Sequence, residues 1–345
     1  MMNRKSAILC LLSLWLAAAA LPVGQASAEI ASAGGNKLLI YYGTPEGVNG
    51  LWNADQAADL FAQYDHIVFG EGLELPSDGH HDSTAEVMRK VRGISPNVQF
   101  YGYIDLDYTK IKYPMKELKR RTDLWLDMGA DGIFLDDAGY DYGGTRIRFN
   151  EIVRYIHDKN MVAFVNAWNP DDVLSSAYDP AHNSKSLKTA MDGRDIYLLE
   201  SFLLPTDITK ANSPSAFSSR FRTKMDKALY YRMHLGIRLM SVSSADYEQF
   251  SSDALRKFFR MNEAAAGVFS LDAYGVSPIY YSSAKPYHDL VRRFPYSKNY
   301  SDFYTRDVAY TAKYENRDFA RAGFRLHSVQ GDQYYRFPEQ LEITS

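Results

Sequence analysis

The sequence has a single cysteine, Cys10, and it lies in an N-terminal segment that reads as removable. Without it there is no disulfide, no thiol nucleophile and no thiolate metal site, so stability must come from the core. Histidine is also scarce, 8 residues in 345, and these form no metal-ligating pattern. His80, His81 and Asp82 are adjacent, so the two rings cannot easily reach one ion, and no third ligand follows at helical spacing; they read as a solvated loop. No metal and no cofactor are expected. No GxGxxG follows the first strand-like run, which argues against a doubly wound dinucleotide fold. Formal charge is only −3, with acids and bases intermixed, so nothing recruits nucleic acid.

Long hydrophobic runs are absent too. The longest, residues 7–20, is too short to span a bilayer comfortably; it follows Arg4 and Lys5 and precedes Ala26-Ser27-Ala28. That order reads as a secretory signal peptide over residues 1–28, and implies an exported, extracellular protein with no membrane span after cleavage. Loss of Arg4 and Lys5 takes the charge from −3 to −5.

What remains is an alternation. Strand-like apolar runs occur at residues 38–42, 66–69, 98–104, 132–135, 162–166, 196–199, 237–242 and 267–271. Amphipathic helical patterns separate them. Ala57, Leu60, Phe61 and Tyr64 lie at i, i+3, i+4, i+7, as do Phe149, Ile152, Val153 and Ile156. Pro114 marks a first turn, and Leu255, Phe258, Phe259 and Asn262 share one face of a helix that ends by Gly267. Eight strand-helix units imply a single (β/α)8 TIM barrel over residues 37–295. Residues 296–345 are Tyr-rich and short in period, and read as an extension packed on the barrel, too small to fold alone without disulfides.

In such a barrel, function sits where the strands end. The segment GADGIFLDDAGYDYG puts Asp136 and Asp137 at the tip of the fourth strand, and LLESF puts Glu200 after the sixth. The other strand ends supply Tyr41, Tyr42, Glu71, Glu74, Asp105, Asp107, Asn166, Trp168, Asp272 and Tyr274. Two carboxyl groups with stacking aromatics are the requirements of glycoside hydrolysis, one acid protonated and one ionised. Asp136 and Glu200 form the expected catalytic pair. Since successive strand residues face opposite ways, Asp137 is expected at the turn, holding a loop or raising its neighbour's pKa. Tyr41, Tyr42, Glu71, Asp105, Asn166, Trp168, Asp272 and Tyr274 are expected to contact substrate, with Trp168 as a sugar platform.

The series YYGTP, FGEGLE, YGYIDLD, MGADGIFLDDAGYD, FVNAWNPDD and LLESF resembles the spherulin-type glycoside hydrolases (family 135) and the related endo-α-1,4-galactosaminidase group (family 114), over roughly residues 37–275. The resemblance implies a (β/α)8 barrel that cuts galactosamine-containing exopolysaccharides with an aspartate after strand four and a glutamate after strand six, here Asp136 and Glu200, with Asp137 in the adjoining acidic position. The expected partner is therefore a polysaccharide substrate acted on by a monomer. A partly deacetylated polymer of this kind is cationic, and a groove lined by Glu71, Glu74, Asp105, Asp107 and Asp272 would concentrate it.

Overall fold

A computed structural model of the chain describes residues 36–110, 112–202, 219–245 and 271–278, the single positions 262, 266 and 269, and three short strands beyond residue 300. The signal segment, most of the 255–267 helix and most of the C-terminal extension lie outside the described residues. Eight parallel strands close into a barrel in sequential order. They are β1 (Asn36–Tyr41), β2 (His66–Phe69), β3 (Gln99–Asp105), β4 (Gly132–Asp136), β5 (Val162–Val165), β6 (Ile196–Leu199), β7 (Arg238–Ala245) and β8 (Ala273–Pro278). Helices α1 (Ala54–Phe61), α2 (His81–Ile94), α3 (Met115–Asp127), α4 (Arg146–Asp158), α5 (Pro170–Leu174) and α6 (Ser219–Leu235) follow the first six strands in turn. This is the TIM barrel that the alternation implies.

Two apolar layers form because strand residues alternate between faces. Leu38, Ile40, Val68, Tyr101, Tyr103, Phe134, Phe164, Ile196, Leu198, Met240 and Val242 fill the barrel. Their neighbours Leu39, Tyr41, Ile67, Phe69, Phe100, Ile133, Leu135, Val165, Tyr197 and Leu239 pack outward against the helices. The predicted helical stripes behave accordingly: Ala57 and Phe61 of α1, and Phe149, Ile152, Val153 and Ile156 of α4, are buried in the outer layer. Asn53 caps α1 by accepting from the backbone N–H groups of Asp55 and Gln56, and Pro114 stands at the entry to α3. On the outer face of β3, Gly102 makes room for Trp125 of α3: a Cβ there would lie 2.0 Å from the indole. The indole N–H then donates to the Tyr103 carbonyl at 3.1 Å.

The eighth strand is not where the apolar run 267–271 places it. Positions 262 and 266 are helical, Leu271 N–H donates back to Ala266 O at 2.8 Å, and Phe269 packs in the outer layer. The described positions of that run therefore precede the strand, which is the less apolar AYGVSP that follows. Its Gly275 lies so near β1 that a Cβ would meet the Leu38 carbonyl at 2.4 Å. A small residue at a close backbone approach gives no hydrophobic signal. Beyond the barrel, Val308–Ala309, Phe324–Ser328 and Gln333–Phe337 form a three-stranded antiparallel sheet.

Candidate active site

The interior row of each strand continues into the barrel mouth. Phe134 of β4 is followed two residues later by Asp136, Phe164 of β5 by Asn166, and Leu198 of β6 by Glu200. Period-two alternation thus points three polar side chains inward, above the apolar filling. Asn166, only 8% exposed, joins the two acids: its amide nitrogen donates to Asp136 Oδ1 at 2.8 Å and to Glu200 Oε2 at 3.2 Å. Those two carboxylate oxygens therefore lie no more than about 6 Å apart, the limit set by the shared donor. The Tyr103 hydroxyl donates to Asp136 Oδ2 at 2.9 Å, and the Asp137 backbone N–H donates to Asp136 Oδ1 at 2.9 Å.

The electrostatics follow from this crowding. Burial, and next the charge of Glu200, push Asp136 up to about 6, while the donors from Asn166, Tyr103 and Asp137 pull the other way. Asp137 turns out of the strand with φ +50°, a left-handed conformation that Asp tolerates. Burial, followed by the charges of Asp136 and Asp105, pushes Asp137 up to about 7, against a hydrogen bond from Tyr142. Asp105, the register partner of Asp136, is also raised, first by burial and then by Glu71 and Asp107 against a backbone hydrogen bond.

Of the expected substrate contacts, Tyr42, Asp105, Asn166 and Trp168 gather at this end. Tyr42 meets Tyr103 edge-to-face at 5.3 Å. Trp168, 54% exposed on the loop after β5, covers the Lys224 ammonium of α6 at 5.0 Å. Tyr103 and Lys224 went unrecognised in the sequence. Tyr103 lies mid-strand, where a Tyr reads as core, and Lys224 belongs to a helix that shows no stripe at the sequence level.

Other expectations are corrected. Tyr41, 2% exposed, points outward into Phe61 and Phe69 at ring distances of 5.3 and 6.4 Å, because it is one residue out of phase with Tyr42. Asp272 and Tyr274 stand at the start of β8, at the opposite end of the barrel; Asp272 accepts from Leu239 N–H at 2.9 Å, and Tyr274 pairs with Lys37 near the start of β1. Misplacing the strand by a few residues moved them across the fold. Glu74 is fully buried and paired with Arg121 of α3, and Glu71 accepts from Tyr113 at 3.1 Å and lies 3.7 Å from the same guanidinium. Asp107 caps its own loop, accepting from the backbone N–H groups of Thr109 and Lys110. Among the described contacts, the acids gathered at the barrel mouth are thus Asp105, Asp136, Asp137 and Glu200, whereas Glu74 and Glu71 face Arg121.

The ligand atoms of His157, Asp192 and Asp195 lie within 4.8 Å of one another, before β6 at the far end of the barrel. Asp195 already accepts from the Ala163 and Asp192 N–H groups at 2.9 Å each, with His157 Nε2 at 2.9 Å, so the group is built as a clasp between α4, β5 and β6.

No family model matches the sequence, and no curated protein matches it. Solved structures resemble it in fold. An endoglucanase shares 12% identity over 72% of this chain and 90% of that chain, with a TM-score of 0.44. A hyperthermophilic endo-β-1,4-glucanase in complex with substrate shares 11% over 71% and 89%, with a TM-score of 0.43. An HpcH/HpaI aldolase from Desulfitobacterium hafniense DCB-2 shares 11% over 72% and 88%, with a TM-score of 0.39. Likenesses at this level concern barrel architecture and leave the chemistry to the site.

Proposed function

We propose that the chain is a retaining, endo-acting glycoside hydrolase of a polysaccharide. The observation that supports this best is the single Asn166 amide nitrogen shared by Asp136 and Glu200. Oxygens held within about 6 Å fit the ~5–5.5 Å separation of a retaining pair better than the ~6.5–9.5 Å of an inverting one, which must admit a water. Asp136 receives three donors, which favour its ionised form, and serves as nucleophile. Glu200, across the shared Asn166 amide, serves as the general acid. In the first step Asp136 attacks the anomeric carbon, the glycosidic C–O bond breaks, and Glu200 protonates the departing oxygen. In the second, Glu200 takes a proton from water, the hydroxide displaces Asp136 from that carbon, and the sugar leaves with its starting configuration.

The substrate we infer is a galactosamine-containing, partly deacetylated exopolysaccharide outside the cell, met by a monomeric, exported protein. The sequence resemblance supports the sugar, and the acids Asp105 and Asp137, raised first by burial and then by neighbouring carboxylates, suit a cationic chain. The test is release of reducing ends from that polymer by residues 29–345, with Asp136→Asn and Glu200→Gln alongside. Losses of ~10³-fold or more in both variants, with product formed in the substrate's anomeric configuration, are expected. Inversion would overturn the assigned roles; wild-type binding without cleavage would make the barrel a carbohydrate-recognition protein.

A further inference from the structure

The barrel mouth is electrically uneven around Glu200. On the β3–β4 side stand Asp105, Asp136 and Asp137. On the β5–β6 side, Lys224 sets its ammonium 3.4 Å from the backbone oxygen of Glu200 and 5.0 Å from the centre of the Trp168 ring. The nearby Lys227 is already engaged, donating to Asn169 Oδ1 at 3.1 Å and pairing with Asp171 Oδ2. Lys224 differs: among the described residues its contacts are one long hydrogen bond to a carbonyl and an indole face. An ammonium has three N–H donors, and one drawn out of water needs acceptors for them. Burial lowers Lys224 to about 8 against the pull of Glu200, so it is charged at neutral pH. Trp168 beside it offers an exposed ring on which a sugar face can lie.

We propose that Lys224 and Trp168 form a subsite beside Glu200 for a sugar unit that bears an oxygen acceptor, an acetamido carbonyl or a carboxylate, and that rejects a unit bearing a free ammonium. The proposal rests on the glycosidase reading and sharpens it. Acids at the β3–β4 side, and a cation beside Glu200 at the β5–β6 side, fix the direction and register of a partly deacetylated chain. The amine-bearing unit goes to Asp105 and Asp137, and the acetylated unit goes to Lys224. Specificity here comes as much from like-charge rejection as from attraction.

The test is a calorimetric titration at pH 6.5, in the Asp136→Asn background to prevent turnover. The probes are oligomers of N-acetylgalactosamine, of galactosamine and of galacturonic acid. Lys224→Met should shift the ratio of acetylated to deacetylated affinity by about tenfold or more toward the amine, the scale of a lost hydrogen bond to a charged group. Lys224→Arg should keep most of the preference, which separates loss of charge from loss of fold. A fall confined to the galacturonic oligomer would assign the acceptor as a carboxylate, and a fall with the acetylated oligomer as the carbonyl. An unchanged ratio in Lys224→Met overturns the subsite, even if cleavage depends on Asp136 and Glu200. A shifted ratio with no polymer cleaved by the wild type upholds the subsite and removes the glycosidase reading instead.

Discussion

The Tyr103 hydroxyl, rising from β3, donates to Asp136 Oδ2 at 2.9 Å across the register where Asp105 faces Asp136. A phenol aimed at one carboxylate of the pair biases where the proton rests, since a donor stabilises the ionised form.

Tyr103→Phe removes that donor without changing the ring. The pKa of Asp136 should rise from about 6, so the acid limb of the kcat/KM profile should move to higher pH. Activity at pH 6 should fall by roughly 10–100-fold, the scale of one charge-assisted hydrogen bond. A profile that keeps its acid limb in Tyr103→Phe would show that the phenol does not act on the titrating carboxylate.

Burial and neighbouring carboxylates push Asp136 up to about 6 and Asp137 up to about 7, above their ordinary value of 3.8. A carboxyl raised on folding binds its proton more tightly in the folded state. Its stabilising share is therefore full below pH ~4 and is lost as pH climbs through the folded value. Asp137→Asn should accordingly raise Tm relative to wild type at pH 8 and leave it nearly unchanged at pH 4. Thermal melts across that range check the sign; an equal effect at both ends would refute it.

Gly102→Ala places a methyl 2.0 Å from the Trp125 indole, which is fully buried and tied to the Tyr103 carbonyl. Neither the ring nor the strand can yield cheaply, and a loss of about 3 kcal/mol or more is expected from overpacking. Chemical denaturation measures it. A loss under about 1 kcal/mol would mean that the outer layer repacks.

Arg121→Met leaves Glu74 charged and buried without its partner. A destabilisation of about 3–5 kcal/mol is expected, and adding Glu74→Gln should recover much of it, because the penalty belongs to the orphaned charge. Non-recovery in the double variant would place the cost in lost packing.

The spacing of apolar runs was enough for the barrel, since each strand buried on both faces must be apolar throughout and each helix carries a stripe. The same period-two rule separates Tyr41 from Tyr42 and points Asp136 inward, so the inward acid was legible from LDD alone. Strand eight was not: AYGVSP is chosen by contact with β1 at Gly275, while Phe269 and Leu271, before it, pack in the outer layer. That error moved Asp272 and Tyr274 from one end of the barrel to the other.

The sequence by itself determined the alternation, the strand tips and the residue types available there, because these depend on local periodicity. Only the tertiary structure decided which charges remain free. Glu74 meets Arg121 across 47 positions, Asn166 meets Asp136 across 30 and Glu200 across 34, and Lys224 meets the Glu200 carbonyl across 24. Barrel closure sets these pairings, and the cost of burying a charge decides which acids are paired with a cation and which are left lining the barrel mouth.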